Sequence, residues 1–155
     1  MVTSENWVLM SYRMPREPST PRIAVWRRLK GLGVAQLGDG LVGLPFDAST
    51  KESLEWVTNM VEEAAGSATM WIATPTLRRY GRELAAELRD QRAAEYQELI
   101  ERTHELMTAG APTRSLRALR AELRRIERRD YFPPPDRAAA RDLIISADTT
   151  GRTTL

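Results

Sequence analysis

The sequence predicts an α+β protein, and three observations predict it. Over the first 75 residues, short apolar runs and amphipathic helical patterns follow in the order strand, helix, strand, strand, helix, strand. From Thr76 onward the strand signal vanishes and helical periodicity takes over. Glycine and proline sit at the joints, where turns and helix ends need them. At 155 residues the chain is long enough to bury a core.

The first strand is Trp7-Val8-Leu9-Met10-Ser11-Tyr12, an apolar run bounded by polar Ser4-Glu5-Asn6. Pro15 and Pro18 keep the next segment extended, and Thr20 before Pro21 reads as a helix N-cap with proline at the first helical position. The helix runs to Leu32. Val25, Trp26, Leu29 and Leu32 are expected on its core face, with Arg27 and Arg28 pointing away and Gly33 as the C-terminal cap. Val34–Leu37 and Leu41–Pro45 form a hairpin across Gly38-Asp39-Gly40. Ser49 or Thr50 caps a second helix, striped by Leu54, Val57, Val61 and Ala65 and ended by Gly66. Ala68–Thr74 is the last strand, closed by Pro75.

This order is the split βαβ pattern of a ferredoxin-like sandwich, two helices on one face of a four-stranded antiparallel sheet, and residues 1–75 are expected to form that unit. Residues 76–147 are expected to be helical and to pack on it. Leu77, Tyr80, Leu84 and Leu88 make one stripe and Tyr96, Leu99, Thr103 and Leu106 another; the gap between them, with Gly81, leaves open whether this is one helix or two. After Gly110-Ala111-Pro112, Leu116, Leu119, Leu123 and Ile126 form a heptad-like seam, which predicts a helical hairpin. Pro133-Pro134-Pro135 breaks the chain, Asp136 caps a short last helix through Ala147, and 148–155 reads as a flexible tail. The uncovered sheet face and the Leu116–Ile126 seam are the two surfaces on which a homodimer is expected.

Composition narrows the chemistry. No apolar run approaches a membrane span and no secretion signal opens the chain, so a cytoplasmic protein without a membrane partner is expected. There are no cysteines and a lone histidine, His104, in the helical run Glu101-Arg102-Thr103-His104-Glu105, which has nothing like an HExxH pattern. The glycines at 31, 33, 38 and 40 lack the spacing and placement of a phosphate loop. No catalytic residue, metal site or cofactor is expected, and the chain does not read as an enzyme.

The charges carry more information. The net charge is +2, yet residues 13–30 alone carry six basic residues against one acid, and residues 111–129 seven arginines against two glutamates. Between them, residues 31–110 hold seven basic and thirteen acidic side chains. Two basic segments flanking an acidic middle suit contact with a polyanion, although charged helix faces are commonly just solvated. The candidate phosphate contacts are Arg16, Arg22, Arg27, Arg28 and Lys30, followed by Arg117, Arg120, Arg124 and Arg128. The start of the first helix, with Arg16, Thr20 and Arg22, is a candidate oxyanion site, because unpaired N–H groups and the positive end of the helix dipole meet arginines there. The competing structural reading has these arginines pair with acids such as Glu17 and hold the loop.

The run Tyr12-Arg13-x-Pro15-Arg16-Glu17-Pro18-Ser19-Thr20-Pro21-Arg22, then Trp26-Arg27-Arg28-Leu29-Lys30-x-Leu32-Gly33, Gln36-Leu37-x-Asp39-Gly40 and Leu44-Pro45, resembles the N-terminal domain of the chromate-resistance regulators called ChrB. Glu95-Tyr96, the arginine-rich helix and Arg129-Asp130-Tyr131-Phe132 are similar to its helical half. The resemblance implies a bacterial cytoplasmic regulator that binds promoter DNA of chromate-exporter genes, with chromate or a similar oxyanion as effector. Typical members continue into a C-terminal domain that these 155 residues do not include, so roles located there are not carried over. The strand order also looks like the middle domain of phenylacetate-pathway repressors; related nucleases carry a metal-binding aspartate on the first strand, where this chain has none. The leading expectation is a chromate-responsive DNA-binding regulator. The rival is an accessory protein-binding module without sequence-specific DNA contact.

Overall fold

Burial that alternates along β1 (Trp7–Arg13) from Val8 onward, with Trp7 buried as well, sets the frame of the first half. Val8 and Met10 are fully enclosed, and Met10 Sδ accepts a hydrogen bond from Thr58 of the second helix, so this is the helix-covered face. The computed structural model describes residues 5–110 and 112–153, the last three as backbone. After β1 come α1 (Ser19–Leu32), β2 (Ala35–Gly38), β3 (Leu41–Pro45), α2 (Ala48–Glu63) and β4 (Ser67–Ala73). The four strands form one antiparallel sheet in the order β2-β3-β1-β4, the arrangement the sequence pattern predicts. Val25 and Leu29 of α1 and Leu54, Val57 and Val61 of α2 join Val8, Met10, Val42 and Leu44 in the buried core; each such side chain contributes about 1.5–3 kcal/mol.

Three local expectations are corrected. The cap of α1 is Pro18 and not Thr20, which lies in the first turn. Pro21 is tolerated there because the first four N–H groups of a helix have no partner within it. Trp26 is 57% exposed and does not belong to the core. Val25 and Leu29 define the buried line, and Trp26 lies about 100° round the helix from Val25; its ring stacks under Lys30 Nζ at 5.0 Å instead. The cap of α2 is Asp47 and not Ser49 or Thr50. Its carboxylate accepts from Thr50 N at 2.7 Å while Thr50 Oγ1 accepts from Asp47 N at 2.9 Å, a capping box with acid and hydroxyl exchanged.

Two glycines are required by geometry. A Cβ on Gly40, at φ 68°, would lie 2.5 Å from Tyr12 O, in the turn where Tyr12 N donates to Gly40 O. A Cβ on Gly66 would meet Arg13 O at 2.6 Å, although the left-handed residue ending α2 is Ala65.

The chain divides into two compact units, Met1–Leu88 and Arg89–Leu155. The boundary falls inside α3 (Arg78–Thr108), an unbroken helix, which answers the question left open by Gly81 and the gap in apolar spacing. Tyr80 and Leu84 line a groove of about 430 Å³ with Trp7, Leu9 and Leu37, so the start of α3 belongs to the sheet unit, which extends beyond Pro75. In the second unit, α3, α4 (Thr113–Arg128) and α5 (Asp136–Thr153) surround Tyr96, Leu99, Leu119, Leu123, Ile126, Ala140 and Ile144. The predicted hairpin is completed by a third helix. The Leu116–Ile126 seam is spent inside this unit, and α5 runs past the expected end at Ala147 to Thr153. No helix among the described residues is long and apolar enough to cross a membrane.

Candidate nucleic-acid interface

The arginines of α4 have two fates. Arg120 Nη1 lies 2.5 Å from Asp148, Arg125 pairs with Glu122 at 2.5 Å, and Arg129 Nη2 holds Glu95 at 2.8 Å. Arg114, Arg117, Arg124 and Arg128 are exposed and have no acid partner among the described residues. At 100° per residue these four fall within an arc of about 80°, opposite the apolar seam, along roughly 21 Å of helix. The structure therefore brings Arg117, Arg124 and Arg128 together, adds Arg114, and removes Arg120, which Asp148 neutralises. Arg114 is legible in the sequence once it is placed on the helical wheel.

Around α1 the pattern is looser. Arg16, Arg22, Arg27, Arg28 and Lys30 are all exposed, and no ion pair to Glu17 or another acid forms among the described residues. Arg27 and Lys30 share a solvent face with Ile23 and Trp26, whereas Arg28 lies on another side. Thr20 is exposed in the first turn. That turn contains no acidic residue and its cap makes no side-chain hydrogen bond, so Arg16, Thr20 and Arg22 remain beside unpaired N–H groups. His104 is exposed on α3. Among the described residues, no group of three histidine, cysteine, aspartate or glutamate side chains is placed to hold a metal ion.

The second unit also holds a largely buried polar network. Tyr96 donates its hydroxyl to Asp130 Oδ2 at 2.7 Å, Arg137 approaches the same oxygen at 3.8 Å, and Glu127 accepts from Arg137 and Arg141. Arg92 donates to Arg129 O and pairs with Glu95 at 3.2 Å. Burial raises the Asp130 carboxyl above its ordinary value, against the Tyr96 hydrogen bond and the pull of Arg137 and Arg92, and the same desolvation lowers Arg92. Tyr96 is pushed up by burial and by its bond to Asp130. This network ties the middle of α3 to the C-terminal end of α4 and to the start of α5.

The profile of a family described as "Protein ChrB, N-terminal" matches residues 22–109, more than half of the chain. The chain belongs to this family. A "Protein ChrB" from Cupriavidus metallidurans is 29% identical over 143 residues, which cover 82% of this chain and 40% of the relative. The chain thus spans well under half the length of that ChrB. No solved structure matches. Two segments on which the resemblance rests, Glu95-Tyr96 and Arg129-Asp130, meet in space as the pairs Glu95–Arg129 and Tyr96–Asp130.

Proposed function

We propose that this ChrB N-terminal chain is a DNA-contacting part of a chromate-responsive regulator, binding duplex phosphates through α4 and α1 and carrying out no catalysis. The observation that supports this most is the stripe Arg114, Arg117, Arg124 and Arg128, four cations on one helix face without acid partners among the described residues. A helix offers such a row to successive phosphates, and each neutralised phosphate releases counterions, which drives binding. The effector proposed is chromate, a tetrahedral dianion, at the uncapped start of α1 beside Arg16, Thr20 and Arg22. Cytoplasmic action is part of the same reading.

A second reading, an accessory module that binds a protein, is favoured by exposed tryptophans. Trp26 stands beside Ile23 on α1, and Trp56 is exposed on α2. A gel-shift titration separates the two. DNA from upstream of the chain's own gene, with random DNA as competitor, is expected to shift and to be released by chromate. No shift at low salt supports the accessory module, and a shift insensitive to chromate, or chromate binding by calorimetry that survives Arg22→Ala, removes the α1 effector site.

A further inference from the structure

The two edges of the sheet are built differently. β2 has four residues and an irregular register between Gln36 and Gly38, features that blunt an edge against further pairing. β4 has seven residues in unbroken register with β1, from Ser67 opposite Arg13 to Ala73 opposite Trp7. Its sequence, Ser-Ala-Thr-Met-Trp-Ile-Ala, holds no charge, proline or glycine, and its outer backbone groups have no partner among the described residues. It also exposes Trp71 and Ile72, 59% and 57% accessible. A long, regular, uncharged edge is what proteins avoid unless another strand covers it.

We infer that β4 pairs antiparallel with β4 of a second copy of this chain, across a two-fold axis at Met70, joining two four-stranded sheets into one of eight. The strand is complementary to itself in that register. Large faces small on both sides, Trp71 opposite Thr69 and Ile72 opposite Ala68, and Met70 meets its own copy. The flanks are complementary in charge. Glu62 and Glu63 precede the strand, Arg78 and Arg79 follow it, all four are exposed, and antiparallel pairing sets each acidic end against the other copy's basic end. This surface is distinct from the Leu116–Ile126 seam, which the second unit uses internally.

Sedimentation of the whole chain is expected to show a species of twice 17.5 kDa that becomes monomeric in the Thr69→Lys/Ile72→Lys variant, with unchanged circular dichroism. The chain has no cysteines, so a single Met70→Cys substitution reports the register directly: oxidation should cross-link it into dimers, while Glu52→Cys, on the exposed side of α2, should not. A monomeric wild type overturns the inference. So does a dimer that survives both lysines, or one that Met70→Cys fails to cross-link.

Discussion

Residues 13–30 and 111–129 carry the same excess of five positive charges, and the fold treats them differently. Around α1 every basic side chain is left in solvent, spread over several faces of a helix whose buried contacts are Val25 and Leu29. On α4 and its cap three of seven arginines are bound to Asp148, Glu122 and Glu95, and the other four are gathered on one face. A sum of charges therefore overstates the helical segment and says nothing of its order. An arginine tied to a carboxylate has little left for a phosphate, whereas one without a partner gains fully from meeting one.

The largest expected effect comes from removing the ordered set. Arg117→Ala/Arg124→Ala/Arg128→Ala should weaken duplex binding at low salt by at least about tenfold, measured by fluorescence anisotropy, because three phosphate contacts are lost with their counterion release. Replacing Arg27 and Arg28 by alanine should lower the slope of log affinity against log salt by roughly two; an unchanged slope would leave α1 outside the interface.

Paired arginines should answer in stability. Arg129→Ala removes a partly buried double hydrogen bond to Glu95, and a loss of about 1–2 kcal/mol is expected in urea unfolding, with the salt slope unchanged. A lower slope with intact stability would mean that Arg129 contacts DNA. The smallest effect concerns Asp130. Its folded value is raised, so the stability it contributes is present below the ordinary carboxylate range and is lost as pH climbs through the raised value. The melting temperature of the wild type relative to Asp130→Asn should therefore fall as pH rises from about 4, the ordinary carboxylate value, upward. A gap that widens with pH would show that Arg137 and Arg92 outweigh burial.

The order of elements, the sheet and the apolar seams of α3 and α4 were legible because period-two and period-3.6 burial are written in the residues themselves; that α5 would close the core through Ala140 and Ile144 was not. Trp26 was not, since a tryptophan one step from the buried line satisfies the same apolar pattern whether it turns inward or stacks under Lys30. Nor was Asp47, because a cap is decided by where the chain leaves β3, and three neighbouring polar residues fit equally well. Among the candidate contacts, Arg117, Arg124 and Arg128 could be read from helical spacing. The loss of Arg120 could not, because its partner Asp148 is 28 residues away on a helix expected to have ended.

The measurement that bears most directly on the stripe compares two double variants of α4. Arg124→Ala/Arg128→Ala removes two unpartnered cations, and Arg120→Ala/Arg125→Ala removes two paired ones, for the same change in net charge. Over a salt titration of duplex binding, the first should lower the slope by roughly two and the second by close to none. Equal losses in both would mean that the duplex senses only overall charge, and would contradict an ordered phosphate-binding face on α4.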